Sequence, residues 1–103
     1  MAIEIVNHAA RQRWELFEDN ELAAVLVYRL VDGVEDMVHV EVDADRGGRG
    51  LAALLVAHAL DDARDRRLFV LPSCPYVHRF IDERRDGYLD LVPPERRGDF
   101  GFE

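Results

Sequence analysis

Hydrophobic positions change their spacing near the middle of the chain, recurring every second residue before Gly50 and every third or fourth after it. Ile3 to Val6 alternates weakly and opens a first strand, with Asn7-His8-Ala9-Ala10 as a break or bulge. Arg13 to Phe17 reads as a second strand by alternation and aromatic content, and Glu18-Asp19-Asn20-Glu21 as a turn. Leu22 to Leu30 is almost continuously apolar, which suits a strand covered on both faces or nearly so. Asp32-Gly33 is a hairpin turn signal. In the strand that follows, Val34, Val38, Val40 and Val42 are expected on one face, and Glu35, Met37, His39 and Glu41 on the other, where they would wall a site.

Beyond the glycines, Leu51 to about Arg66 is expected to be a helix, with Leu51, Leu54, Leu55 and His58 at helical spacing and Asp62 paired with Arg66. Leu68-Phe69-Val70-Leu71 reads as a buried parallel strand reached by a right-handed crossover. Pro75 suits the first position of a second helix, capped by Ser73 or Cys74, with Val77, Phe80 and Ile81 on its apolar face. Tyr88 to Val92 is expected to be a short extended piece. The polar tail, residues 93–103, is expected to be loose. The sum is a small α/β (α+β) fold: antiparallel strands, a strand-helix-strand crossover and a C-terminal helix, in one domain over residues 1–92.

Composition narrows the partners. The 103 residues hold 21 acidic against 13 basic side chains, a net charge of −8, and every basic residue is arginine. A field of that sign opposes nucleic acid and anionic membrane surfaces and favours a cationic small molecule. Nothing resembles a signal peptide or a membrane span, and Cys74 is the single cysteine, so a cytoplasmic, reducing location is expected. Monomer or weak dimer is the expected state. His8, His58 and His78 have no partners at metal-ligand spacing, so no metal site is expected.

The stretch from Asp45 to Ala52 carries the most chemistry. Gly47, Gly48 and Gly50 allow a tight turn, and the helix that begins there turns its unpaired N–H groups and positive dipole end toward the same point. Phosphate is the usual occupant of such a place, with Arg46 and Arg49 at the rim; a tight connection with no ligand is the plain alternative. A P-loop is excluded because it needs lysine. Gly48-x-Gly50-x-x-Ala53 matches the dinucleotide fingerprint formally, but Pro72-Ser73-Cys74 stands where that fold needs an acid.

Four ordered motifs point further: His39-Val40-Glu41-Val42, Gly48-Arg49-Gly50, Leu60-Asp61-Asp62-Ala63-Arg64 and Cys74-Pro75-Tyr76-Val77. Together, over roughly residues 10–92, they resemble the minimal branch, about a hundred residues long, of the Gcn5-related N-acetyltransferases. The resemblance implies that acetyl-CoA is the co-substrate. Its pyrophosphate would lie on Arg46, Gly47, Gly48, Arg49, Gly50, Leu51 and Ala52, and its pantetheine beside Val40 and Val42. An unidentified amine, cationic by the charge argument, would accept the acetyl group.

Two positions depart from the family pattern. Gly47 replaces the first Gln/Arg of the loop, so backbone N–H groups carry more of the contact. Phe80 stands where tyrosine is common, so protonation of the leaving thiolate would pass to Cys74 or Tyr76. His39 and Glu41, two apart on one strand face, are the candidates to deprotonate the amine; the plain alternative is a packed histidine beside a solvated carboxylate. Cys74 at a helix start is placed for thiolate character, as an acid or a transient acetyl acceptor, or else is a small buried residue. The rival functions are a CoA-binding module without turnover and an interaction protein that keeps the fold.

Overall fold

The structure is a computed structural model and describes residues 2–102; Met1 and Glu103, the outer ends of the expected domain and tail, lie outside the described residues. Five strands form one sheet in chain order: β1 (Ile3–His8), β2 (Arg13–Glu18), β3 (Glu21–Val31), β4 (Val34–Val42) and β5 (Phe69–Leu71). All neighbours are antiparallel except β4 and β5, which the crossover helix α1 (Leu51–Asp65) joins in parallel. Helix α2 (Pro75–Asp82) and the single turn α3 (Arg85–Tyr88) follow. This is the α/β class expected from the change of period.

The turns obey their residues. Asp32 and Gly33 both take positive φ, 51° and 79°, the geometry of a tight hairpin between right-twisted strands. Strand β1 runs two residues past Val6, and the break falls later, as a 3-10 turn over Ala9–Arg11. Asn7 is kept in the sheet because its side chain accepts a hydrogen bond from Tyr28 Oη at 2.7 Å.

Two bulges correct the expected faces. Along β4, Val27 pairs with His39 but the adjacent Tyr28 pairs with Met37, so Val38 is an extra residue. The alternation slips there. Glu35, Met37, Val40 and Val42 share the core face, and His39 and Glu41 lie on the opposite one. A second bulge places Leu16 against Ala24 and Phe17 against Leu22, with Ala23 as the extra residue. It leaves Ala24, Leu26 and Tyr28 buried on the core face, while Val25 and Val27 are only half-buried. Strand β3 is therefore covered fully on one side alone.

Helix α1 buries Leu51, Leu55, Val56, Ala59, Leu60 and Ala63 against the sheet. That stripe is rotated from the expected one, leaving Leu54 and His58 exposed. His58 instead meets the edge of Trp14, with ring centroids 5.2 Å apart. Helix α2 starts at Pro75 as expected and buries Val77, Phe80 and Ile81, but no side chain caps it.

The C-terminal part departs most from the pattern. Tyr88 to Val92 is not extended; it holds the end of α3 and a 3-10 turn over Leu89–Leu91 that buries Leu91. The expected loose tail continues as a 3-10 helix over Pro94–Phe100 and brings Phe102 into the core. Its anchors are aromatic: Phe102 stacks on His78 at 4.7 Å, and His78 Nε2 donates to the Phe100 carbonyl at 2.6 Å.

With no lysine in the chain, the ion pairs among the described residues draw on arginine, as in Arg13–Glu15, Arg64–Asp90, Arg66–Asp62 and Arg96–Asp99, and on His8 and His39. Among the described residues no helix is long and apolar enough to cross a membrane, and no group of His, Cys, Asp and Glu is arranged to hold a metal ion.

Candidate cofactor and catalytic site

The pairing of β4 with β5 is brief. It covers only Val34–Phe69, Glu35–Val70 and Asp36–Leu71, after which Cys74 N–H donates to the Met37 carbonyl at 2.8 Å and the chain turns away into α2. Pro72 and Pro75 enforce that exit, since neither has an N–H to continue the ladder. From Val38 to Val42, β4 is paired with β3 alone among the described residues. One backbone edge is thus left open, and it runs toward the glycine loop.

The loop is held from behind. Asp43 N–H donates to the Ala23 carbonyl at 2.8 Å, and Arg46 N–H to the Asp43 carbonyl at 2.9 Å, which closes a 3-10 turn over Ala44–Arg46. Gly48 and Gly50 adopt φ of 76° and 77°, and a Cβ at either would meet open space, so backbone conformation is what requires glycine there. We expect Gly50→Ala to cost about 1 kcal/mol in urea unfolding, the penalty of a left-handed backbone carrying a side chain. The first bond within α1 runs from Leu54 N–H to the Gly50 carbonyl, 3.1 Å, so the N–H groups of Leu51, Ala52 and Ala53 precede the intrahelical ladder.

The arginines are engaged with protein carboxylates. Arg46 bonds Glu18 through Nε at 2.9 Å, Asp43 through Nη1 at 2.6 Å and Glu21 through Nη2. Hydrogen bonds donated to Glu18, then to Glu21, raise its pKa above the ordinary arginine value. Arg49 grips both oxygens of Glu18, with Nη1 2.9 Å from Oε1. Their side chains are 18% and 44% exposed respectively. These residues, with Leu22 and Asp45, line an open cleft of about 590 Å³.

Glu18 is the residue that sequence reasoning missed, having been assigned to a turn. It follows Leu16 on the core face of β2 and is buried at the sheet end beside the loop. Its sequence signal was the phase: Trp14, Leu16 and Glu18 alternate without a break. The residues present fit a pyrophosphate in one respect and resist it in another. Backbone donors and a helix start face open space, but four carboxylates share the cleft with two guanidiniums.

The catalytic candidates divide between exposed and buried positions. His39 and Glu41 are together, with Nε2 3.1 Å from Oε1, on side chains 58% and 72% exposed. A carboxylate only accepts, so Nε2 carries the hydrogen and Nδ1 is the basic nitrogen of neutral His39. Cys74 is buried in the core cluster, its N–H bonded to the Met37 carbonyl, whereas His39 is exposed. Tyr76 is half-buried near the start of α2, its ring 5.7 Å from the Arg79 guanidinium carbon. Phe80 lies under Arg84, 3.9 Å from the ring centroid. The structure therefore joins His39 to Glu41 and sets Cys74 apart from both.

A strand edge left open toward a glycine-turned helix start, on a mixed sheet, defines an α/β protein built around a strand-helix-strand crossover. The chain belongs to the GCN5-related N-acetyltransferase family, whose pattern it matches over residues 13–91. The solution structure of a GCN5-like protein from Staphylococcus aureus superposes with a TM-score of 0.64 at 25% identity, covering 87% of each chain. The ribosomal-protein-S18-alanine N-acetyltransferase of Escherichia coli shares the fold at a TM-score of 0.60 and 20% identity, over 74% of this chain and 56% of that enzyme. N-acetylglutamate synthase from Neisseria gonorrhoeae, solved with coenzyme A and N-acetyl-glutamate, shares it at 0.52 and 18%, over 93% of this chain and 26% of the other.

Proposed function

We propose that the protein transfers an acetyl group from acetyl-CoA to an amine, with a cationic acceptor favoured by the acidic surface. The carrying observation is the open β4 edge over Val38–Val42 leading into the loop at residues 47–52. Val40 and Val42 would offer backbone hydrogen bonds to the pantetheine amides, and the N–H groups from Gly47 to Ala52, with Arg46 and Arg49, would hold the pyrophosphate. The bound thioester supplies the activated acetyl group. His39 Nδ1 would take the proton of the attacking amine, with Glu41 fixing the tautomer through Nε2. As the carbon–nitrogen bond forms and the carbon–sulfur bond breaks, Tyr76 would return a proton to the sulfur; burial makes Cys74 the weaker candidate for that step. A reducing cytoplasm suits the lone buried thiol.

Titration with acetyl-CoA, followed by amide NMR, should shift Val38–Val42 and Gly47–Ala52; unshifted signals in both segments would end the proposal. Arg49→Ala should weaken binding about five-fold, more than Arg46→Ala, because the more exposed guanidinium lies inside the glycine turn. Binding without turnover on a panel of amines would favour a CoA-binding module instead.

A further inference from the structure

The two loop arginines are not equivalent, and Glu18 is the reason. Its buried carboxylate receives Arg46 Nε at 2.9 Å and both terminal nitrogens of Arg49. Arg46 has two further carboxylate partners, Glu21 and Asp43, and is the less exposed of the pair. Arg49 is more than twice as exposed and projects from the turn where α1 begins. Glu18 thus already occupies, from inside, the face of Arg49 that an external anion would use.

We infer that Glu18 is a specificity-determining residue, an internal anion that a phosphate ligand must displace from Arg49. The inference deepens the CoA reading above and rests on it. Charge and geometry make the exchange feasible. When Arg49 turns to the ligand, Glu18 keeps the Arg46 Nε bond, so its buried charge is not abandoned. Arg46 acts as the fixed post and Arg49 as the moving arm. A pyrophosphate carries more charge than a carboxylate and presents the same planar pairs of oxygens to a guanidinium, so it can win Arg49. A single carboxylate or sulfonate has no such advantage. The loop thereby rejects the weak anions of the cell and accepts a polyphosphate, in a protein whose net charge of −8 otherwise repels both.

Glu18→Gln keeps the shape and one acceptor oxygen while removing the competing charge. CoA affinity, measured by calorimetry at low salt, should rise about five-fold, the scale of one partly screened charge several ångströms away. In an Arg49→Gln background the same change should bring no gain. Weaker CoA binding by Glu18→Gln, comparable to the loss in Arg49→Gln, would make Glu18 a strut and overturn the inference while leaving CoA binding intact. No binding of CoA by either wild type or Glu18→Gln would remove both proposals; binding by Glu18→Gln alone would uphold the masking role and refute CoA as the natural ligand. The wild-type protein gives a second readout that needs no variant. On titration with inorganic pyrophosphate, the guanidinium NMR signals of Arg49 should move well beyond those of Arg46, which keeps its Glu21 and Asp43 partners, and equal movement of both would overturn the exchange.

Discussion

Glu35→Gln should stabilise the protein by up to about 3 kcal/mol near pH 8 and leave it almost unchanged near pH 4.5. Glu35 is fully buried at the start of β4, and among the described residues neither of its oxygens makes a hydrogen bond. Loss of water pushes its pKa up to about 7; Arg66 at 3.7 Å opposes that shift, and Asp62 adds to it. The unfolded chain releases this proton near 4.5, so between about 4.5 and 7 the folded state holds a proton that the unfolded state has lost. Stability from this group is therefore full below 4.5 and falls as the pH rises toward 7. Glutamine removes that slope. Glu15 and Asp90 work in the opposite sense at lower pH. Desolvation raises the Glu15 pKa, but bonds from Arg13 and His8 overcome it; Arg64 lowers that of Asp90. Their contribution is lost as the pH falls through their lowered values. Urea unfolding of wild type and variant at several pH values separates the terms, and parallel pH profiles would refute the assignment to Glu35.

Phe102→Ala should cost about 3 kcal/mol, the usual penalty for truncating a buried aromatic residue. Phe102 is 3% exposed, is stacked on His78, and has the Arg85 guanidinium 5.4 Å from its ring centroid. Removing the ring leaves a gap that a 3-10 segment with few other buried residues cannot close. It also withdraws the stack that keeps His78 aligned with the Phe100 carbonyl. Urea denaturation measures the loss, and amide exchange should quicken across residues 94–102 and at α2. A loss below about 1 kcal/mol would mean that the tail is not part of the cooperative unit.

Most of the architecture was legible in the sequence. Alternation marked the antiparallel strands, Asp32-Gly33 marked their tightest hairpin, and the glycines marked the crossover. What the sequence hid has specific causes. A bulge adds one residue, and valines at 34, 38, 40 and 42 suit either phase, so nothing in the pattern around Val38 announced the slip. Glu35 was assigned with His39 and Glu41 to the wall of a site, because uninterrupted alternation puts the three on one face and a buried carboxylate is uncommon. In the tail, prolines, glycines and arginines outnumber the two phenylalanines, and the composition concealed their packing. At the site, glycine spacing exposed the loop, but the partner of its arginines comes from β2, 28 and 31 residues away in sequence. No local motif could report that pairing.

The guanidinium ion pairs have a practical consequence for a member of an acetyltransferase family. A lysine ammonium beside an acetyl thioester becomes a neutral amide once acylated and drops its carboxylate; a guanidinium does not react in that way. Glu18, Asp62 and Asp90 therefore keep their counter-ions however long the protein stands in an acyl donor. With no lysine anywhere in the chain, no side-chain amine can compete with an added acceptor. Any acetyl-lysine found after an assay must have come from the substrate.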